Sequence, residues 1–465
     1  MKVKEVPFSW IPRWGHRLDV EPFVGGAVET RVFLERAPYP KQPLRELTTG
    51  HNGGIYNGPM FRRNYVESRE HGVPFLTSGS MLRADLTDVG LLRRKDAESP
   101  RLNYLRLTQG TTLISCSGSI GRTVYARPDM EGMWASQDIM KVVPDSTKVA
   151  PGFLFAFLSS KYGVPMVTSG TYGAIIQHIE PEHLADLPVP RLGCQLERHV
   201  HDLVERAARA RSTAAKLLAD TQTNLSEQLG FRPSAEADRE LSTVANSEWL
   251  ADRIDAYYYS AQCALARQAF DGATGCELRR LDTVADVFIP GIFKRLYADD
   301  PRFGHPYITG GDVFQIAPTS SEYLQRRVAE TYGLVVRKGM ILVQEAGQLG
   351  GLIGRSVLVG SHLDGFAVSN NMIRIAAKDP ADVGYLFAVL VSEPGVTLIA
   401  REAAGSSIPH IEANRVRQIE LPWTTADLRV AIGGSVVQAW NLRDQACVLE
   451  TDARTLVERA IEEAA

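Results

Sequence analysis

The feature that most constrains what this chain can fold into is that it is written twice. Leu113-Ile114-Ser115-Cys116-Ser117-Gly118-Ser119-Ile120-Gly121-Arg122-Thr123-Val124-Tyr125-Ala126 reads as a short apolar strand, a Gly/Ser turn and a second strand. Downstream stands Gly351-Leu352-Ile353-Gly354-Arg355-Ser356-Val357-Leu358-Val359, the same Gly-x-Ile-Gly-Arg turn running into an apolar strand. The step from Arg122 to Arg355 is half of the chain. Other segments recur in the same order. Arg17-Leu18-Asp19 returns as Arg253-Ile254-Asp255, and Gly72-Val73-Pro74-Phe75-Leu76-Thr77-Ser78 as His305-Pro306-Tyr307-Ile308-Thr309. Ser136-Gln137-Asp138-Ile139 returns as Ser369-Asn370-Asn371-Met372, and Pro151-Gly152-Phe153-Leu154 as Val383-Gly384-Tyr385-Leu386. Ile176-Gln177-His178-Ile179-Glu180 returns as Ile408-Pro409-His410-Ile411-Glu412, and Leu187-Pro188 as Leu421-Pro422. Preserved order over so many segments implies a tandem duplication. The second copy carries extra residues at Gln344 to Gly350, as expected of an insertion at a loop tip.

Each copy is followed by a helical texture. Leu196, Val200, Leu203, Ala207, Ala210, Ala214 and Leu217 step by alternating four and three residues. So do Leu428, Ile432, Ser435, Ala439, Leu442, Ala446, Leu449, Ala453, Leu456 and Ala460. An apolar seam every ~3.5 residues is the pattern of a coiled-coil helix, and two of similar length predict an antiparallel pair. Gly433-Gly434 weakens the opening turns of the second helix and leaves its start open. The expected class is α+β, with two tandem mixed domains joined by two long helices. The expected bounds are a first domain at 1–192, a helix at 193–231, a linker at 232–245, a second domain at 246–424 and a helix at 425–463.

Composition allows a full core but singles out no partner. A formal charge of −3 is unhelpful to phosphate binding, although basic clusters stand apart from the acidic tail around Glu458, Glu462 and Glu463. The longest apolar stretch, Val383 to Ala400, is broken by Glu393-Pro394-Gly395, so a buried helix and turn is expected and no membrane partner. The five scattered cysteines form no Cys-x-x-Cys pair, which fits a reducing, cytoplasmic protein without structural zinc.

Catalytic patterns are missing. There is no Gly-x-x-x-x-Gly-Lys-(Ser/Thr) loop, no Gly-x-Ser-x-Gly, no His-Glu-x-x-His and no Asn/Asp-Pro-Pro-Tyr. Gly118-x-x-Gly121 and Gly351-x-x-Gly354 lack a third glycine and lead into strands rather than helices. We therefore expect no catalytic residue, no metal and no cofactor. Binding chemistry is better represented. The turns offer Ser117, Ser119, Arg122, Gln344, Gln348 and Arg355, and the following strands Gln137, Asn370 and Asn371. Thr77, Ser78 and Thr309 end the proline-entered strands, while Tyr172 and Ser406 stand in later loops. The basic clusters add Arg62, Arg63, Arg94, Lys95, Arg101, Lys294 and Arg295. Arg forks onto guanine, Asn and Gln onto adenine, and hydroxyls hold phosphates. Each of these residues is equally a turn former or strand cap. Residues shared by both copies read as scaffold, so specific contacts are expected in the unmatched parts, such as Asn52 to Arg63, Arg93 to Arg106, Pro290 to Arg302 and Gln344 to Gly350.

Taken together, the Arg-Leu-Asp and Arg-Ile-Asp openings, Leu-Ile-Ser-x-Ser-Gly-Ser-Ile-Gly-Arg, Ser-Gln-Asp-Ile, Pro-Gly-Phe-Leu-Phe-Ala-Phe-Leu-Ser-Ser, Ile-x-His-Ile-Glu and Leu-Pro-Val-Pro resemble a known family. It is the DNA-specificity (S) subunit of type I restriction–modification systems, and the likeness covers nearly the whole chain. The first copy fits better, because Leu342-Val343-Gln344-Glu345-Ala346 replaces the Ser-rich turn in the second. The resemblance implies two target-recognition domains, each reading one half of a split sequence in double-stranded DNA, and helices that set the gap. It implies no activity of the chain's own. Its partners would be two methyltransferase (M) subunits using S-adenosylmethionine, and ATP-dependent restriction/translocase (R) subunits. An alternative is a DNA-recognition adaptor of a related phage-defence assembly with another effector.

Overall fold

The computed structural model describes residues 4–13, 23–117, 120–169, 178–231, 253–405 and 407–463. Arg17-Leu18-Asp19 and the expected linker at 232–245 lie outside these residues. The architecture is mixed helix and sheet, as the α+β expectation has it, and divides into two units: Met1–Ser212 with Gln445–Ala465, and Thr213–Asp444.

Unit one holds strands β1 (Lys41–Pro43), β2 (Ile55–Tyr56), β3 (Tyr65–Val66), β4 (Gly72–Leu76), β5 (Leu91–Arg93), β6 (Thr112–Ser115), β7 (Thr123–Tyr125), β8 (Trp134–Ala135), β9 (Ile139–Val142) and β10 (Pro188–Pro190). The central sheet has the order β2-β9-β6-β7 and is antiparallel throughout. Its inner strands, Thr-Leu-Ile-Ser and Ile-Met-Lys-Val, are buried at every position, so neither alternates apolar and polar faces. A second sheet has the order β3-β5-β4-β8, with β4 and β8 parallel. β1, which follows the helix Ala27–Arg36, pairs antiparallel with β10, just ahead of the first long helix. The helix Pro151–Leu158, almost wholly apolar, fills the core beneath the central sheet.

Unit two repeats this plan with β11 (Cys276–Arg280), β12 (Ala285–Phe288), β13 (Gly304–Ile308), β14 (Tyr323–Gln325), β15 (Ile341–Gln344), β16 (Ser356–Leu358), β17 (Ala367–Val368), β18 (Met372–Ala377), β19 (Ala403–Ala404), β20 (His410–Ile411) and β21 (Glu420–Thr424). The central sheet is β12-β18-β15-β16, the second is β14-β13-β17 with β13 and β17 parallel, and β11 pairs with β21. Register locates the insertion. Thr112 faces Val142 as Ile341 faces Ile375, which matches Thr112 to Ile341 ahead of the turn. The step from Arg122 to Arg355, beyond the turn, is longer than the step from Thr112 to Ile341 by four. The added residues therefore lie between Gln344 and Arg355, where extra residues were expected.

Two long helices, Cys194–Leu229 of 36 residues and Ala426–Glu463 of 38, each contribute one half to each unit. In unit one, Val200, Val204 and Ala207 of the first helix share a core with Ala446, Ala453, Val457 and Ile461 of the second. In unit two, Leu225 and Leu229 share a core with Ile432, Val436 and Trp440. The halves come in reversed order, as antiparallel neighbours require. Val200, Leu203, Ala207 and Ala214 of the expected seam are buried, but Leu196, Ala210 and Leu217 are only half-buried. Val204, Ala208 and Arg211 widen the buried face, because the helix also carries its own domain. The second helix starts at Ala426 and runs straight through Gly433-Gly434. Gly433 is there for close approach: a Cβ on Gly384 would fall 2.2 Å from the Gly433 carbonyl oxygen. Gly152, the counterpart of Gly384 in the first copy, meets the first helix in the same way, its Cβ falling 2.9 Å from the His201 Cα. The duplication therefore includes the helices.

Among the described residues no single helix is long and apolar enough to cross a membrane. The apolar stretch from Val383 forms two helices, Val383–Val391 and Glu393–Arg401, buried in the core of unit two.

Candidate nucleic-acid interface

In each unit the turns matched in the sequence are gathered at one place. β4 and β8 run side by side in the same direction, and β9 turns back beside β6, so their ends meet. The Ser136 amide donates to Leu76 O at 2.8 Å, and the Cys116 amide to Asp138 O at 3.0 Å. The Ile179 amide donates to Cys116 O at 3.3 Å, and Ser117 bridges His178. Unit two repeats the arrangement: Ser369 N to Ile308 O at 3.1 Å, Glu345 N to Asn371 O at 3.0 Å, Ile411 N to Glu345 O at 2.9 Å, and Ala346 bridging His410. Register aligns Cys116 with Glu345. The departure of the second copy is thereby explained locally, since Glu345 Oε1 sits 2.8 Å from His410 Nδ1 and ties the turn to the later loop.

Beneath each gathering lies a buried cation that the sequence reading missed. Lys141 is fully buried and donates from Nζ to Ser136 O at 2.8 Å and Ala135 O at 3.3 Å. Arg374 faces Leu342 as Lys141 faces Leu113, so the two hold one position of the repeat. It donates to Val368 O at 2.7 Å, Ser369 O at 3.1 Å and Met372 O. Each cation thus pins the backbone of the turn that presents Gln137 and Asp138, or Asn370 and Asn371. Burial pushes the Lys141 ammonium down to about 7, against the opposing pull of Cys116 and Asp138, and pushes Arg374 down to about 10. Burial also pushes the Cys116 thiol up to about 11, which disfavours its thiolate form.

The candidate residues separate into three groups. Several are turned to internal use. Arg94 donates to the carbonyls of Arg69, Glu70 and Gly72, Arg63 pairs with Asp138 at 2.8 Å, and Arg101 holds Met60 O at 2.9 Å. Thr77 and Ser80 bond one another across their turn, and Thr309 Oγ1 donates to Asp312 at 2.6 Å. A second group lies in the gathered turns: Ser78, Ser117, Arg122, Gln137, Gln344, Arg355 and Asn370 are half-buried, whereas Gln348 and Asn371 are exposed. The Gln137 and Gln344 Oε1 atoms are buried without a hydrogen-bond partner among the described residues. Arg62, Lys95, Lys294 and Arg295 form the third group, exposed on loops or short helices. Ser119, Tyr172 and Ser406 lie outside the described residues.

One expectation is corrected. Asn52 to Arg63 and Pro290 to Arg302 read as unmatched in the sequence, yet β2 and β12 hold the same place in their sheets and both loops leave from them. Met60-Phe61-Arg62-Arg63 and Ile292-Phe293-Lys294-Arg295 then align, at the same step that carries Phe75 to Tyr307. The match escapes the eye because only Phe and the last Arg are identical. Chemically, the gathered turns offer amides, hydroxyls, carboxamides and guanidinium groups, the kinds that hydrogen-bond phosphates and base edges, beside the Asp138 carboxylate and the Glu345–His410 pair.

No family model matches this chain, and no curated protein does. Among solved structures, the chain is similar to the type I restriction–modification S subunit from M. genitalium, at 13% identity and a TM-score of 0.38, covering 92% of this chain and 96% of that one. It is similar to the HsdS subunit from Thermoanaerobacter tengcongensis at 14% identity and a TM-score of 0.27, covering 92% and 96%. A structure described as the basis of complex assembly and conformational transition of the type I R-M system matches at 14% identity and a TM-score of 0.28, covering 92% and 98%.

Proposed function

We propose that this chain is the DNA-specificity subunit of a type I restriction–modification system. The observation that carries the reading is the doubling itself: two units build the same gathering of turns, on the same paired sheets, each against a long helix. Each unit reads one half of a bipartite target in double-stranded DNA, and the helices fix the gap. Gln137, Gln348, Asn370 and Asn371 are the groups for base edges, with Arg62, Lys95 and Lys294 for phosphates. Half-site readers joined by a fixed spacer multiply their selectivity, because the second binds at high effective concentration. The net charge of −3 is tolerable where partner subunits wrap the duplex. Methylation is then the work of two M subunits docked on the helices, cleavage that of R subunits, and the setting is the cytoplasm.

Selection from a library of randomised duplexes, using the full chain with its M subunits, tests this directly. The expected result is enrichment of a two-part motif with one fixed gap. Enrichment of a single contiguous motif, or of none, would contradict the reading.

A further inference from the structure

The loops that follow β2 and β12 carry the aligned tetrads Met60-Phe61-Arg62-Arg63 and Ile292-Phe293-Lys294-Arg295. In both, the second residue is an anchor: Phe61 packs edge-on to Phe75 with centroids 6.0 Å apart, and Phe293 to Tyr307 at 6.3 Å. The fourth residue covers the same ring, Arg63 at 5.8 Å from the Phe75 centroid and Arg295 at 5.9 Å from that of Tyr307. Phe75 and Tyr307 are themselves counterparts in the repeat, on β4 and β13, and both are buried. With the second and fourth residues fixed, the first and third face outward. Met60 is 84% exposed and Ile292 90%, and Arg62 and Lys294 are exposed beside them.

A single exposed methionine or isoleucine needs no explanation. Here both copies keep a large apolar side chain at the tip, hold it with the same ring-and-arginine clamp, and set a cation next to it. In unit one this loop also lies against the gathered turns: a Cβ on Gly58 would fall 3.1 Å from the Gln137 Cα, and Arg63 pairs with Asp138. An apolar tip beside a cation is matched to duplex DNA, whose phosphates take the cation and whose base steps take the apolar group. Met and Ile are among the side chains that unstack base steps in this way.

We propose that Met60 and Ile292 are wedges that enter the base stack, one in each half-site, while Arg62 and Lys294 hold the adjoining phosphates. This rests on the DNA-reading function proposed above. The test uses the full chain with its M subunits and duplexes of the selected motif carrying 2-aminopurine at successive steps. With the adenines that the M subunits methylate left unsubstituted, since a methyltransferase unstacks its target base, wild type should raise fluorescence at one step in each half. Met60→Ala should abolish the rise in one half and Ile292→Ala in the other. Each should weaken binding about ten-fold with the salt dependence unchanged. Arg62→Ala or Lys294→Ala should keep the rise and lower the salt slope by about one. All four side chains are exposed, so the variants should fold. Tight, sequence-specific binding with no rise at any step would overturn the wedge and leave DNA reading standing. So would affinity that follows thymine-to-uracil replacement instead, or loss of M-subunit assembly in Met60→Ala or Ile292→Ala. Failure of wild type to bind DNA at all would overturn both.

Discussion

Lys141 and Arg374 occupy one position of the repeat, and each is held mainly by backbone carbonyls. Such a cation orders a turn at an electrostatic cost. For Lys141 the cost has a pH signature. Its folded value is about 7 against 10.5 for an unperturbed lysine, so the unfolded chain binds the proton more tightly. Between these values unfolding takes up a proton, and stability must rise with pH, by at most about 1.4 kcal/mol per pH unit. Urea unfolding of wild type and Lys141→Met at pH 7.5 and 9.5 should show wild type gaining relative to the variant; parallel pH dependences would contradict this. The sequence could not announce this role. A lysine in Ile-Met-Lys-Val reads as the solvent side of an alternating strand, whereas all four residues are buried. Only the neighbouring strands, supplied by distant segments, decide which reading holds. Gly-x-Ile-Gly-Arg was legible as a turn for the opposite reason, because its chemistry is local. The Met60 and Ile292 tetrads fall between these cases, since similar residues at one spacing become convincing only when the rings they clamp are seen.

At the scale of elements, the helical seam was legible because its period is local, and its width was not, because that depends on what the helix carries. Gly433-Gly434 shows the limit well. Propensity treats the two alike, but Gly433 backs onto Gly384 and Tyr385 while a Cβ on Gly434 would meet nothing within 4 Å. Gly434→Ala should therefore stabilise unit two by roughly 0.5–1 kcal/mol. Gly433→Ala should destabilise it by about 1–3 kcal/mol through forced separation of the helices. Equal shifts in thermal unfolding would refute the contact. Arg211 supplies a second case. It is buried in unit one with Glu450, Nη2 lying 3.2 Å from Oε2 and Nη1 also bonded, inside a seam that the sequence predicted to be apolar. Arg211→Ala leaves the buried Glu450 carboxylate with only Arg454, 3.9 Å away, and should cost about 3 kcal/mol, whereas Arg211→Met with Glu450→Leu should cost far less. Chemical denaturation of the single and double variants separates these outcomes.

For the whole molecule, the duplication was the most legible property, since ordered repeats survive where no single motif is decisive. Less legible was its extent. The helices belong to the repeat, as the matched glycine contacts at His201 and Gly433 show, although their sequences share little beyond small buried residues. If these helices set the gap, a heptad inserted in both, near Ala214 and near Ala446, adds about 10 Å of helix, or roughly three base pairs. The gap in the selected motif should lengthen accordingly, and an unchanged gap in an assembled complex would remove the spacer role. The central claim is that this chain chooses where adenine methylation falls, through two half-sites. Methylome sequencing of the host with and without the chain addresses it most directly. A bipartite adenine-methylated motif should be present with the chain and absent without it; an unchanged methylome would contradict the account.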